Sequence, residues 1–203
     1  DDALAAAVRS FQVRHGLMPD GLLTGETYKQ LGVPMQKRAE QLELTLERWR
    51  WFERSFAQPP IVVNIPEFRL RAYGSDMRVA LSMKVIVGGA YRRKTPVFEN
   101  QISSVIFRPY WNVPTTIQRN EIAPAMRRDP RYLEKHGYEV VHGPGGAVRI
   151  RQRPGDQNAL GLLKLSLPNV HDVYLHGTPS QSLFDRPRRD FSHGCIRVED
   201  PAA

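Results

Sequence analysis

Cysteine is almost absent: the 203-residue chain has one, Cys195. No intramolecular disulfide can form, and no thiolate cluster can build a structural zinc site. Long apolar runs are missing as well. Stretches such as Ala3 to Val8 fall far short of the ~18 consecutive apolar residues that span a bilayer, so no transmembrane segment is expected. No basic-then-apolar leader opens the chain, and any targeting segment is expected to lie outside it. Internal repeats and low-complexity segments are also lacking. Acidic residues are in deficit, 21 against 29 basic ones, of which 23 are arginine. What is present, 41% hydrophobic and 25% charged residues, belongs to a globular protein rather than a disordered or fibrous one.

The net charge of +8 calls for an anionic partner. Nucleic acid is disfavoured, because the basic residues run from Arg9 to Arg197 without forming a stripe interleaved with aromatics. Carboxylates on a substrate, or another anionic polymer, account for the charge equally well.

Periodicity divides the chain into three parts. Residues 1–34 read as a small helical module. Asp1 or Asp2 caps a helix with Leu4, Ala7, Val8 and Phe11 on its apolar side, and Gly16 ends it. Pro19-Asp20-Gly21 turns the chain, and Thr24 caps a second helix expected to bury Tyr28 and Leu31 before Gly32 and Pro34 stop it. Residues 35–59 read as a linker or spacer helix. Its stripe of Leu42, Leu46, Trp49, Phe52 or Glu53, and Phe56 is expected to pack on the rest of the protein. Pro59 and Pro60 then break the helix.

From residue 60 to 203 the period falls to two. Strands are expected at Ile61 to Ile65, Phe68 to Tyr73, Met77 to Val87, Ile102 to Phe107, Ala147 to Gln152 and Val173 to His176. A helical insertion over about 115–137, with Ile117, Ile122, Met126, Tyr132 and Leu133 as its apolar members, is expected to cover part of the sheet. The fold class is therefore a mainly β domain with a helical insertion plus a small α-helical module, α+β overall.

Cys195 sits in Ser192-His193-Gly194-Cys195-Ile196-Arg197. A reactive thiol needs a nearby base or positive charge, and here His193 precedes it by two, Arg197 follows by two, and His176 lies 195 − 176 = 19 residues upstream. Gly194 removes side-chain bulk beside the sulfur, so that backbone N–H groups can approach a substrate oxyanion. His176, His193 and Cys195 would make an open zinc site, but no acidic partner stands at a recognisable spacing and no metal is expected. His136, His142 and His171 show no ligand spacing and read as surface or structural residues.

His176-Gly177-Thr178-Pro179, followed by Ser192-His193-Gly194-Cys195-Ile196-Arg197, resembles the signature of the L,D-transpeptidases, cysteine enzymes with a YkuD-type β-sandwich or barrel. VNIPEFRLRAY from Val63, TPVF from Thr95, PYWNVP from Pro109, RQRPGDQNALG from Arg151 and YLHGTP from Tyr174 resemble the larger branch of that family, which carries a peptidoglycan-binding module and a capping insertion. FQVRHGLMPDGLLTGETYKQL in the first part is similar to that module, without its opening helix. Residues 60–203 would be the catalytic domain, ending earlier than that branch normally does.

The resemblance implies roles. Cys195 would be the nucleophile and His176 the general base, oriented by the Gly177 carbonyl; His193 would shape the pocket, and the Gly194 and Cys195 N–H groups would hold the oxyanion. Arg197 would attract a stem-peptide carboxylate; Tyr110, Trp111 and Asn112 would line the cleft, with Ser192 and Arg151 as further substrate contacts. The implied reaction joins peptidoglycan stems by 3-3 cross-links through a thioester, releasing D-alanine. It needs no cofactor, is blocked covalently by carbapenem β-lactams, and takes place in the periplasm or cell wall. Carboxypeptidase or cysteine hydrolase activity, and attachment or release of a lipoprotein on peptidoglycan, are the alternatives.

Overall fold

The computed structural model describes residues 1–51, 56–91 and 93–203; Phe52 and Glu53 of the helical stripe lie outside them. The described residues form two compact units. One comprises Asp1–Val62, Arg71–Ser82 and Arg186–Arg188, and the other Val63–Leu70, Met83–Asp185 and Arg189–Ala203.

In the first unit, α1 (Asp2–Arg14) starts at Asp1, whose carboxylate accepts from the Ala3 N–H. α2 (Gly25–Leu31) starts at Thr24, whose hydroxyl accepts from the Thr27 N–H. Between them a polar centre holds the turn. Gln12, 1% exposed, donates to Asp20, Leu22 and Thr27 and accepts from the Gly21 N–H. That network corrects one expectation: Thr27 takes the inward position of α2, which leaves Tyr28 59% and Leu31 51% exposed. α3 (Met35–Trp51) has no buried residue, and Leu42, Leu46 and Trp49 are each about 60% exposed.

Among the described residues ten strands follow: β1 (Ile61–Asn64), β2 (Arg69–Tyr73), β3 (Val79–Ile86), β4 (Ser104–Phe107), β5 (Trp111–Asn112), β6 (Tyr138–His142), β7 (Val148–Gln152), β8 (Leu163–Ser166), β9 (Leu175–His176) and β10 (Ile196–Val198). Seven hydrogen-bond in the order β1-β2-β3-β10-β9-β8-β4. The alternation read from Met77 onward is shorter than expected, because Met77 closes the turn at Gly74 with φ +58 and Val79 remains exposed. At the inner end of β3 burial becomes two-sided, with Val85 and Ile86 fully enclosed.

The helical insertion is α4 (Thr115–Ile117), a π turn (Gln118–Ile122), α5 (Ala123–Arg128) and α6 (Tyr132–Lys135). Val113, Ile117 and Ile122 form a core with Trp111, Met126, Tyr132, Leu133, Tyr138 and Ile150, so the helices pack on a separate sheet of order β5-β7-β6. Asn158, 1% exposed, donates to the Pro109 and Arg153 carbonyls and accepts from the Leu160 N–H, which fastens both ends of this subdomain.

Candidate active site

The second unit gathers the motif residues on three neighbouring strands. Parallel pairing of β10 with β9 sets Ile196 opposite Leu175 and Arg197 opposite His176. Antiparallel pairing of β9 with β8 sets Lys164 opposite His176. Side chains at paired positions share a face, and so do those two residues along a strand. One row therefore reads Arg197, His176, Lys164, and the next reads Cys195, Tyr174, Ser166.

The loop that carries the sulfur is clamped from within. Ser192, 3% exposed, donates its hydroxyl to the Cys195 carbonyl at 2.6 Å and accepts from the Gly194 N–H at 3.1 Å. Thr95 Oγ1 donates to the Gly194 carbonyl at 2.7 Å and accepts from the Gly88 N–H at 2.9 Å. Gly88 must be glycine there, since a Cβ would stand 1.9 Å from the Arg93 carbonyl oxygen. Ser192 is spent on the loop, and the Gly194 N–H is already engaged by the Ser192 hydroxyl.

The Cys195 thiol lies 3.5 Å from the Asp172 carbonyl oxygen, with Tyr174 beside it. Asp172 holds φ +54, an uncommon conformation that aims its carbonyl at the sulfur. Asn169 shapes that loop by donating to the Leu167 and Val173 carbonyls and accepting from the His171 and Val173 N–H groups. Burial pushes the Cys195 thiol above its ordinary value, opposed by the hydrogen bonds from Tyr174 and the charge of Lys164.

His176 is 5% exposed, and its Nδ1 stands 2.5 Å from the Gly177 carbonyl oxygen. Donation from Nδ1 to that oxygen selects the tautomer with a lone pair on Nε2. Burial drives the imidazole down to about 4, helped by the charges of Arg197 and Lys164 and opposed by the Gly177 hydrogen bond. The resting pair is thus a neutral thiol and a neutral imidazole. Gly161 supports this corner, where an added Cβ would meet the Gly177 backbone at 2.7 Å. Arg197 is half-buried beside the histidine, and its Nε is enclosed with no hydrogen-bond partner among the described residues. Burial lowers its pKa, so an anion is favoured next to it.

Other expected site residues are placed differently. Arg151 is engaged by Glu139 and lies 4.2 Å over the Tyr110 ring, while Arg153 also pairs with Glu139; it braces β7 against β6 rather than standing free for a ligand. Tyr110 and Asn112 are exposed, whereas Trp111 packs partly into the helical core. His193 Nε2 sits between the Arg93 guanidinium and the Glu121 carboxylate, 2.8 Å from the latter, which ties the insertion to the Cys195 loop. Among the described residues no cluster of His, Cys, Asp or Glu is disposed to hold a metal ion, and no helix is long and apolar enough to cross a membrane.

Sequence reasoning missed Tyr174 and Lys164 as neighbours of the thiol and the imidazole. Tyr174 was within reach, because two residues before His176 on a strand means the same face. Lys164 was not, since β8 had not been recognised. Comparison with known proteins bears on this site. The profile of the L,D-transpeptidase catalytic domain, YkuD, matches residues 58–203. A Haemophilus influenzae protein named provisionally as an L,D-transpeptidase is 37% identical over 155 residues, 68% of this chain. The match spans 31% of that relative's length.

Proposed function

The chain belongs to the YkuD family of L,D-transpeptidase catalytic domains, and from that premise we propose that Cys195 and His176 carry out acyl transfer between peptidoglycan stem peptides. The observation that supports the reading is that β10, which Cys195 directly precedes, pairs with β9 so that the underpartnered Arg197 stands opposite His176.

In the first half-reaction His176 Nε2 takes the Cys195 proton as sulfur attacks the carbonyl of the third stem residue. A C–S bond forms, the C–N bond to D-alanine breaks, and His176 returns the proton to the leaving amine. In this reading the Cys195 N–H holds the developing oxyanion, with Tyr174 beside the sulfur. Arg197 holds a donor carboxylate. In the second half-reaction the side-chain amine of a neighbouring stem's diamino acid attacks the thioester. The C–N bond forms, the C–S bond breaks, and the amine's proton reaches sulfur by way of His176. The product is a 3-3 cross-link.

A neutral resting pair fits this scheme, since the base must be unprotonated when substrate arrives. The insertion acts as a lid over the thioester, held by Glu121 against His193 and Arg93. A thioester-forming cysteine is open to acylation by carbapenems. Residues 1–34 serve wall attachment as a partial peptidoglycan-binding module, and the setting is the cell envelope, facing the wall. Purified protein incubated with muropeptides tests the proposal. Cross-linked dimers and free D-alanine are expected from the wild type and neither from Cys195→Ala; trimmed monomers alone would mean a hydrolase instead.

A further inference from the structure

A cavity of about 250 Å³ lies along β8 and the loop before β9, lined among others by Lys164, Ser166, Asn169, Asp172 and Tyr174. Its wall reaches the sulfur through Asp172, whose carbonyl oxygen is 3.5 Å from Sγ. Lys164 is the cavity's cation. Its Nζ stands 3.9 Å over the Tyr174 ring, and among the described residues it has no carboxylate partner. Arg197 and Lys164 flank His176 on the two neighbouring strands, which separates their backbones by roughly 10 Å, two strand spacings. Two cations on opposite sides of one base suit two carboxylates, one on each side of the reacting carbonyl.

Asp172, whose side chain is exposed, gives the same cavity an anion. One cation and one anion lining the same cavity match an α-amino carboxylate. That is the chemistry of both amine partners in the proposed reaction. The departing D-alanine bears its amine beside a carboxylate, and so does the attacking centre of a diamino acid that carries a second carboxylate on its side chain. Water carries neither group.

We propose that Lys164 and its cavity form the carboxylate subsite of the amine partner, holding the leaving amino acid in the first half-reaction and the acceptor in the second. This rests on the reading of Cys195 as the thioester-forming nucleophile. Occupying the subsite sets the incoming nitrogen on the thioester carbon; there the C–N bond forms, the C–S bond breaks and the displaced proton passes to sulfur through His176.

The test uses the thioester formed from a tetrapeptide donor and two acceptors. One is a diamino-acid peptide with the carboxylate free beside its attacking amine, and the other is its carboxamide. The quantity read is the ratio of their kcat/KM values for amide formation, within which general losses of activity cancel. Wild type is expected to favour the carboxylate by about tenfold or more, as for a charge-assisted hydrogen bond. Lys164→Gln brings the ratio to within about twofold of unity, and Lys164→Arg keeps the preference. A wild type indifferent to the carboxylate overturns the proposal without any variant. So does an undiminished preference in Lys164→Gln. If the donor yields no thioester in the wild type, the reading of Cys195 falls first, an outcome visible in the protein mass before any acceptor is added.

Discussion

His176 offers a quantitative test of how burial shapes the site. Desolvation takes its imidazole from the ordinary 6.5 to about 4, and that difference is worth about 3 kcal/mol between the protonation states. The sign follows from proton uptake. As pH falls below 6.5 the unfolded chain protonates this imidazole while the folded chain does not until about 4, so the unfolded state binds more protons throughout the window. The stabilisation is complete above pH 6.5 and lost as pH falls through 4. Denaturant melts of wild type and His176→Gln at steps from pH 7.5 to 4 isolate this group, because the other titrations largely cancel in the difference. The wild type should lose about 3 kcal/mol more than the variant across that range. The acylation rate with a β-lactam should share the same origin, staying level from pH 8 down to 5 and falling only near 4. Parallel stability curves, or an acid limb at 6.5 or above, would refute the buried neutral base.

Three further perturbations follow from the same geometry. Ser192→Ala strips the Cys195 carbonyl and Gly194 N–H of a buried partner; a loss of about 1–3 kcal/mol is expected by thermal melt, with slower acylation because the sulfur is less firmly held. Gly161→Ala forces a Cβ to within 2.6 Å of the Thr178 nitrogen at φ +65, and should cost more than about 2 kcal/mol while displacing the Gly177 carbonyl from His176, seen as a fall in kcat out of proportion to KM. Glu121→Gln keeps the shape of the latch and removes its charge. Stability should change by under about 1 kcal/mol, whereas the ratio of thioester hydrolysis to amine capture should rise in a product assay; an unchanged ratio would deny the insertion its role as a lid.

What the sequence revealed depended on how local each signal was. Asp1 and Thr24 cap helices in the structure as their side-chain chemistry implies, and the first three strands lie where the period of two begins. The apolar spacing of Ile117, Ile122, Met126, Tyr132 and Leu133 does mark one cluster. Strands β5, β6, β8 and β10, two to five residues long, went unread because none carries a run of alternating apolar residues long enough to stand out from the loops around it. Lys164 meets His176 only through strand pairing. The outward turn of Tyr28 and Leu31 was hidden for another reason: Gln12, a polar residue on an apolar helix face, organises that turn through hydrogen bonds that hydrophobic spacing cannot register. At the site, the motif residues Cys195, His176 and Arg197 come together on adjacent strands, whereas Arg151 and Ser192 are claimed by partners that only three-dimensional proximity supplies.

The central claim concerns the sulfur of Cys195, and the intact mass of the protein after exposure to a tetrapeptide donor without acceptor addresses it most directly. The account predicts a gain equal to the donor less its terminal D-alanine, located at Cys195 by peptide mapping and absent from Cys195→Ala. No adduct on the wild type, or one that persists in Cys195→Ala, would contradict it.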